Sequence, residues 1–456
     1  MTQSVRALSH ACKTSPWEAE SWRIRAASQP TTSSRTGGLS NACPTDDNAA
    51  MKFFYGWVIV GVGIVVTCVG FGAMMSLSVF LPPMADAMGW SRTGIATAAL
   101  LNFLSMSAGT FAWGALSDRY GTRLVVLSGG LLLGLGLVTA SQASTLGSFQ
   151  VLFGVLVGVA AGSLYAPMTA TTTRWFTRHR TLAVALVSAG LSFGTTLMAP
   201  LARWLISAYD WRTAMLIIGD LVWLVVVPAA LLVRNPPTRA PAGAERAAAA
   251  GEPGLTVAQA LRTPQFAAVA FTHFACCAAH SGPIFHMVAN AIDHGVSAMA
   301  AATVLSAAGV ASFSGKIVCG LVADRAGAKR TLVAGLAIQA VAISLYLVTR
   351  QLGGFYAVAL LFGFAYGGVM PLYAVLVREY FGERIVGATF GAVSTAATLG
   401  MALGPVAGGW LYDGFGGYAW MFLGSSGIGL GAVAIALTFR PPRRQALALA
   451  TPSPAH

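Results

Sequence analysis

The chain has very few charged residues for its length. Of its 456 residues only 9% are charged and 56% are hydrophobic, and the mean hydropathy is +0.69. An ordinary soluble domain has about 25% charged residues. This shortage excludes a water-soluble globular protein, because most of the surface would be too apolar for water.

The sequence also lacks the residue patterns of enzymes and metal centres. Its six cysteines show no metal-ligand spacing. We interpret the four that fall inside apolar runs as packing residues; they are Cys68, Cys276, Cys277 and Cys319. There is no pair of catalytic carboxylates, nucleophile elbow or phosphate-binding glycine loop. We therefore predict a protein that is not an enzyme and uses no cofactor and no metal.

Long apolar runs are what the chain has in abundance. They recur from Phe53 to Phe439, and each is long enough to cross a hydrocarbon layer of about 30 Å. The run from Leu124 to Ala140 is apolar on every side, whereas a barrel strand alternates apolar and polar residues. Helices satisfy their own backbone groups in lipid. We therefore predict an all-α integral membrane protein.

The runs fall into two groups of six. The first six predicted spans are 53–81, 92–116, 124–142, 148–173, 181–206 and 211–233. The second six are 265–291, 297–323, 331–349, 353–379, 385–412 and 416–439. This pattern predicts twelve transmembrane helices in two six-helix halves, residues 52–233 and 264–439, joined by a polar cytoplasmic linker, residues 234–263.

The two ends of the chain are polar. Residues 1–51 lack the apolar core of a secretory signal, so they form either a disordered N-terminal extension or a segment that precedes a true translation start at Met51. Residues 440–456 are predicted to be a cytoplasmic tail. Neither segment contributes to the predicted membrane fold.

The formal charge of +13 raises the question of a nucleic-acid partner, and the positions of the cations answer it. Eighteen cations fall in alternate loops if Lys52 is cytoplasmic, whereas the opposite loops have four, Arg92, Arg203, Arg212 and Arg350. The positive-inside rule then places both termini in the cytoplasm. We predict a multi-pass protein of the cytoplasmic (inner) membrane, with the lipid bilayer and not nucleic acid as its surroundings.

A loop sequence occurs twice, once in each half. Residues 114–123 recur at 320–330, so that Asp118 corresponds to Asp324 with an offset of 206 residues, and residues 174–176 echo 379–381 with an offset of 205. We assign the loop residues to conformational gating: Gly114, Asp118, Arg119, Gly121, Arg123, Asp324, Arg325, Gly327, Lys329 and Arg330. Asp118 can lie against the positive N-terminal end of another helix and latch the two halves. The alternative is an ordinary basic turn.

This loop resembles the signature of the major facilitator superfamily. Three shorter patterns resemble the monocarboxylate transporter and oxalate:formate antiporter group within it: Tyr55-Gly56-Trp57, the run from Gly162 to Pro167, and the run from Trp175 to Ala183 followed by Ser188-Ala189-Gly190. The resemblance implies an alternating-access carrier with its site between the halves, acting on a small organic anion, often with a proton. We expect it to act as a monomer.

Lys316, in the eighth predicted span, is the one cation that lies away from the ends of a span. A charge at the centre of a membrane helix costs about 2.5–3.5 kcal/mol on insertion scales, so a functional role is the first hypothesis. Lys316 resembles the substrate-binding cation that the family has in this helix, usually an arginine. The alternative is that its side chain extends outward to the membrane surface and binds nothing.

Histidines and tyrosines of neighbouring spans are further candidates for substrate binding. Because the run before Asp293 resembles a family stretch with a substrate-facing histidine, we chose His286 over the more central His280. Ser163, Tyr165 and Tyr366 lie in the fourth and tenth spans, which line the cavity in this architecture. Each of these residues has packing as its alternative role.

Three departures from the family pattern affect the proton and the substrate. Met74-Met75 stand where some animal members have a lysine, and Ser312 stands at the family's acidic position. These two absences put the usual proton-coupling carboxylate in doubt. The eleventh span has no second cation between Thr395 and Leu399, which fits a monocarboxylate better than a dicarboxylate.

The sequence therefore predicts a secondary active transporter of a small organic anion, working by symport with a proton or by exchange. One alternative is a multidrug or metabolite exporter of the same superfamily, for which we would expect an acidic residue in a cavity helix of the first half. The other is a transporter-like receptor that senses a solute, for which we would expect a long cytoplasmic signalling segment.

Overall fold

The computed structural model describes residues 54–176, 180–234, 256–382 and 385–440, apart from the side chains of Asp118, Arg180 and Thr181. The long helices of the first half are α1 (Gly56–Met88), α2 (Arg92–Tyr120), α3 (Thr122–Ser141), α4 (Leu146–Trp175), α5 (Arg180–Ala208) and α6 (Trp211–Leu231). Those of the second half are α7 (Pro264–Asp293), α8 (Ala298–Ala326), α9 (Ala328–Leu345), α10 (Leu352–Phe381), α11 (Val386–Phe415) and α12 (Ala419–Leu437). A short helix, Val257–Leu261, precedes α7.

Among the described residues, eleven helices are long and apolar enough to cross a membrane, and α7 is the twelfth long helix. The thirty residues of α7 include three histidines, which make it more polar than the others. The helix is nevertheless capped at Thr263, begins with Pro264, and packs along α11 and α12. The predicted all-helical membrane fold is confirmed.

Two helices of the first half are interrupted. The first breaks at Ser76 and continues through Pro82 and Pro83 to Met88, whereas the sequence predicted an end near residue 81. Prolines are tolerated in membrane helices because neighbouring groups satisfy the freed backbone atoms. The fourth has a wide π-helical stretch, Gln150–Val157, and a turn after Ala161.

The repeated loop has the same backbone in both halves. Gly121 ends α2 with φ 86° and ψ 152°, and Gly327 ends α8 with φ 88° and ψ 144°. Both glycine N–H groups donate to the carbonyl four residues earlier, at Ser117 and Ala323. This conformation strains any residue with a Cβ atom, so glycine is required at both positions. The shared geometry supports the internal repeat seen in the sequence.

The two halves contact each other most extensively along two helix pairs, α2 with α11 and α5 with α8. Small residues allow this close approach: a Cβ atom on Gly409 would lie 2.8 Å from the Thr93 Cα, and one on Gly309 would lie 3.1 Å from the Ser192 carbonyl. The Ser306 hydroxyl donates to the Thr196 carbonyl at 2.7 Å across the second pair. The candidate site lies at this second pair.

Some predictions fall outside the described residues. They concern the N-terminal extension, most of the linker, and the tail after residue 440. The end of the bundle that carries the Gly121 and Gly327 loops is called the basic end below, and the other the opposite end.

Candidate functional site

Lys316 joins the two halves. Its half-buried side chain on α8 donates a hydrogen bond of 2.8 Å from Nζ to the hydroxyl of Ser192 on α5. The neighbouring rings of Phe193 and Phe313 pack together with centroids 5.3 Å apart. No carboxylate of the described residues lies within ion-pair distance of the Lys316 ammonium. A cation between the halves thus has a neutral partner.

The Lys316 side chain does not extend toward the basic end. Its Cα lies ten residues before Ala326, or roughly 15 Å along α8, while Ser192 lies twelve residues after Arg180, or roughly 18 Å along α5. Helical side chains lean toward the N-terminus of their own helix, which in α8 is the opposite end. The ammonium is therefore held between the helices and does not reach the membrane surface in this conformation.

Tyr165 approaches the same part of α5 from the first half. Its hydroxyl forms a 2.8 Å hydrogen bond with the Ser188 hydroxyl, and 37% of the residue is exposed. Ser188 and Ser192 are four residues apart and share one face of α5, with Cβ atoms about 5–6 Å apart in such a pair. The hydroxyl of Tyr165 and the ammonium of Lys316 thus form hydrogen bonds to serines on successive turns of the same face of α5. The structure brings these two predicted residues together.

Ser163 has a different environment. It is fully buried, its hydroxyl donates to the Ala160 carbonyl at 2.7 Å, and it packs directly against Gly129 of α3. Its side chain fills a helix contact. Ser163 therefore packs between α3 and α4, although it is only two residues from Tyr165 in the chain.

Tyr366 and His280 lie on the other side of Lys316, within the second half. Their rings are 5.2 Å apart, at an angle of 31°. Gly367, next to Tyr366, packs against Ser312, which lies one turn before Lys316 on α8. The Ser312 hydroxyl is buried without a hydrogen-bond partner. These residues form a layer of polar groups across α7, α10 and α8.

His286 lies about two turns of α7 beyond His280, toward the opposite end, and is fully buried. Nε2 lies 2.8 Å from the Pro405 carbonyl, and Nδ1 lies 3.1 Å from the Tyr418 hydroxyl. Because a carbonyl only accepts, Nε2 has the hydrogen and Nδ1 accepts from Tyr418 in the neutral ring. Both nitrogens are thus engaged by protein groups.

A cluster of charged residues closes the opposite end. Arg92, the first residue of α2, donates to both oxygens of Asp293 at 2.8 and 2.9 Å and to the Tyr418 hydroxyl at 2.7 Å. Its guanidinium stacks over the Tyr412 ring at 3.7 Å. Asp413 accepts from the backbone and hydroxyl of Thr93 at 2.9 and 2.6 Å. We name these residues, Arg92, Thr93, Asp293, Asp413 and Tyr418, the opposite-end clamp.

Sequence reasoning missed the clamp. Arg92 was counted only as a loop cation, and the two aspartates, at the ends of α7 and α11, were given no role. A signal did exist, because opposite charges at helix ends on a face with few cations suggest pairing. Which helix pairs with which cannot be deduced from one sequence.

The predicted gating loops lie at the basic end. Arg119, Arg123, Asp324, Arg325 and Arg330 are exposed, and Lys329 donates to the Leu437 and Phe439 carbonyls at 2.9 and 2.7 Å. Lys329 thus stabilises the C-terminal end of α12, where a cation is favourable. The side chain of Asp118 lies outside the described residues, and so does the predicted latch that depends on it.

A mostly apolar cavity lies between the halves, on the opposite-end side of Lys316. Residues of both halves line it, among them Met75, Phe103, Thr195, Phe285, Leu305 and Met401. Thr195 lies one turn beyond Ser192 on α5. The polar groups around Lys316 and the apolar lining of this cavity are therefore neighbours along α5.

Comparisons with known proteins agree with this architecture. The family model of the Major Facilitator Superfamily matches residues 62–290 and 269–455. The chain is 30% identical to monocarboxylate transporter 11 of Mus musculus over 386 residues, with 81% of this chain and 84% of the relative covered. It is 27% identical to monocarboxylate transporter 13 of Bos taurus over 371 residues, covering 81% and 85%.

Other matches come from bacteria. The oxalate:formate antiporter of Oxalobacter formigenes is 24% identical over 359 residues, covering 76% of this chain and 84% of the relative. A crystal structure of a bacterial homologue of the human lysosomal transporter Spinster shares the fold, with a TM-score of 0.66, 16% identity, and coverage of 84% and 95%. The chain belongs to the major facilitator superfamily, and its relatives there include monocarboxylate transporters and an oxalate:formate antiporter.

Proposed function

We propose that the protein is a secondary active transporter that moves a small monocarboxylate across the cytoplasmic membrane by alternating access. The observation that supports this most is the Lys316 ammonium, placed between the halves with a serine as its partner and with no carboxylate of the described part of the chain in ion-pair contact. A cation in such a place lacks a counter-ion. An anionic substrate supplies one.

The groups around Lys316 suit a carboxylate. The ammonium donates to one oxygen as a point charge, without the two-pronged grip of an arginine. The hydroxyls of Tyr165 and Ser192 in the first half and of Tyr366 in the second are further donors for its oxygens. One fixed cation balances one negative charge, which favours a monocarboxylate over a dicarboxylate.

The proposed site keeps some of the residues predicted from the sequence and gives others a different role. Lys316, Tyr165 and Tyr366 remain its central residues, and His280 borders it through Tyr366. Both nitrogens of His286 are occupied, so we propose that it supports the opposite-end clamp by its hydrogen bond with Tyr418 and does not bind substrate. Ser163 remains a candidate only if α4 rearranges.

The contacts between the halves suggest how access alternates. At the opposite end Arg92 pairs with Asp293, and near the middle Lys316 bonds to Ser192. When an anion binds the Lys316 ammonium in place of the Ser192 hydroxyl, a hydrogen bond between the halves is replaced by one between Lys316 and the substrate. It therefore changes the relative stability of the two conformations, as a transported ligand must. The glycine loops at the basic end are proposed to gate the other conformation.

The orientation follows from the loop charges. We propose that the basic end faces the cytoplasm, that both termini lie there, and that the protein works as a monomer in the inner membrane. The clamp then closes the outer side.

The test is transport by purified protein in liposomes. We expect saturable counterflow of labelled lactate or pyruvate, competed by other monocarboxylates and weakly by oxalate, and absent from liposomes without protein. Monocarboxylate binding without counterflow would favour the receptor hypothesis. Counterflow of organic cations with no anion transport would favour the exporter.

A further inference from the structure

An apolar groove lies on the outer surface of the first half, between α2 and α3 near the basic end. It follows α2 from Trp113 to Tyr120 and α3 from Leu124 to Leu131, roughly 10 Å of each helix. Its volume is about 270 Å³, close to the lower limit, about 300 Å³, of pockets that hold drug-sized ligands. The groove is separate from the candidate site around Lys316.

The groove exists because α2 and α3 pack more closely on other helices than on each other. Helix α2 lies against α4, where a Cβ atom on Gly109 would be 2.9 Å from the Val159 carbonyl oxygen. Helix α3 packs on α6, whose Trp223 indole donates to the Leu131 carbonyl at 2.9 Å. The two helices therefore separate beyond the turn at Gly121 and leave a space that opens toward the bilayer.

The polar side chains inside the groove are already bonded to the protein. Trp113 Nε1 donates to the Val159 carbonyl at 2.8 Å, and the Ser128 hydroxyl donates to the Leu124 carbonyl of its own helix at 2.8 Å. The leucines of the lining, among them Leu116, are exposed. Apolar walls with satisfied polar groups suit a hydrocarbon chain better than a polar solute.

Two arginines and an aromatic ring lie at the mouth of the groove. The guanidinium of Arg119, in the last turn of α2, is 5.3 Å from the centre of the Tyr120 ring. Arg123, in the first turn of α3, lies one turn before Leu127 of the lining, on the same helix face. Both arginines are exposed. With Asp118, the turn has two cations and one anion, which leaves a net charge of +1.

The corresponding place in the second half lacks the aromatic walls. With the offset of 206 residues, Trp113 corresponds to Cys319 and Tyr120 to Ala326. The second half keeps a matching arginine in its loop, Arg325. It therefore has the charge of the first-half loop without its two large rings, and it provides an internal control.

We propose that an anionic phospholipid binds in this groove, with an acyl chain along the leucines and its phosphate at Arg119 and Arg123. Basic pockets between membrane helices at the cytoplasmic side suit such headgroups, and the guanidinium fork matches a phosphate. In the proposed orientation the lipid comes from the cytoplasmic leaflet. The inference goes beyond the proposed transport function and does not depend on the anion site at Lys316.

Native mass spectrometry of the purified full-length protein in a non-ionic detergent tests the proposal. Dioleoylphosphatidylglycerol and dioleoylphosphatidylcholine are titrated separately, and the dissociation constant of the first bound lipid is measured. Wild type should bind the phosphatidylglycerol at least about fivefold more tightly, which is the contribution of one basic residue near an anionic membrane surface. Thermal unfolding in the same detergent shows whether each variant is folded.

A pair of double variants tests the headgroup contact. Arg119→Ala/Arg123→Ala should weaken phosphatidylglycerol binding about 30-fold, because two basic residues are lost. Arg325→Ala/Arg330→Ala removes two exposed arginines from the same end of the bundle and should bind like wild type. Equal weakening by the two double variants would overturn the proposal, because the basic end would then attract lipid without a defined site.

A second pair tests the groove itself without a change of charge. Ser128→Trp places a large ring among the lining residues and should remove the preference for phosphatidylglycerol. Val341→Trp adds the same ring at an exposed position of α9 and should keep that preference. If the arginine variant does not fold, Ser128→Trp decides, since it keeps both arginines.

The remaining outcomes are equally decisive. Phosphatidylglycerol preference that is lost in the groove variants and kept in their controls supports the proposal. Equal affinity of wild type for the two lipids overturns it, and so does wild-type binding by folded Ser128→Trp. A wild-type dimer that is absent from Ser128→Trp would assign the groove to a second copy of the chain and would also overturn it.

Discussion

The guanidinium of Arg92 lies against the carboxylate of Asp293, with two hydrogen bonds of 2.8 and 2.9 Å, and thereby joins α2 of the first half to α7 of the second. Only 15% and 26% of the two side chains are exposed, so water screens the pair weakly. Two parallel bonds between ionised groups are among the strongest polar contacts in proteins. The pair is well placed to hold the opposite end of the bundle closed.

Replacing Arg92 is expected to open that end more often. Hydrogen bonds to charged groups contribute about 1.5–3 kcal/mol, so Arg92→Ala should raise the ratio of open to closed protein roughly 10- to 150-fold. The measurement is the rate at which an impermeant maleimide, added from outside to cells, labels a single cysteine placed at Thr195 in the cavity lining. The rate should rise in the variant.

The control for that experiment is Arg350→Ala. Arg350 also lies in an outer loop by prediction, and its described hydrogen bond goes to the adjacent Thr349 carbonyl. Its loss should leave the labelling rate unchanged. Equal labelling of the Arg92 variant and wild type would show that the pair does not hold the halves together.

A side chain at Gly409 is expected to act on the same equilibrium by steric means. A Cβ atom there would lie 2.8 Å from the backbone nitrogen and Cα of Thr93, whereas one on Gly414, in the same helix, would meet nothing within 4 Å. Overpacking a tight contact costs about 1–3 kcal/mol. Gly409→Ala should increase maleimide labelling at Thr195→Cys, and Gly414→Ala should not. If the two variants label alike, α2 and α11 do not need this close approach.

Gly315 offers a test of packing within the second half. A Cβ atom there would collide with the Phe364 backbone of α10, while Gly320, five residues along the same helix, faces open space. We expect Gly315→Ala to lower the thermal unfolding midpoint of the detergent-solubilised protein by a few degrees, as a loss of 1–3 kcal/mol would. Gly320→Ala, with the same gain in helix propensity, should leave it unchanged or higher. Equal midpoints would contradict the tight α8–α10 contact.

The membrane fold could be predicted from the sequence because the bilayer leaves few alternatives. Apolar runs of this length must be helices, and the turn at Gly121 recurs at Gly327 with the same backbone. The end of α1 was harder to predict. Two prolines suggested a stop near residue 81, but the helix continues to Met88, because surrounding helices stabilise it.

The site was predictable in part. Lys316 is conspicuous as a lone charge in an apolar run, and hydropathy alone draws attention to it. Its partner Ser192 is 124 residues away in the chain, and Arg92 is 201 residues from Asp293. Such pairings depend on how helices pack and rotate, which a single sequence does not reveal. The same limit applies to His286, whose neighbours Pro405 and Tyr418 come from the far end of the chain.

The central claim is that the Lys316 ammonium binds the carboxylate of the substrate, and calorimetric binding of lactate or pyruvate to Lys316 variants tests it most directly. Losing a charged hydrogen bond of about 1.5–3 kcal/mol should weaken binding roughly 10- to 150-fold in Lys316→Ala, with part of the affinity kept in Lys316→Arg. Arg350→Ala, which removes a cation elsewhere, should bind like wild type. Unchanged affinity in a folded Lys316→Ala protein would contradict the claim.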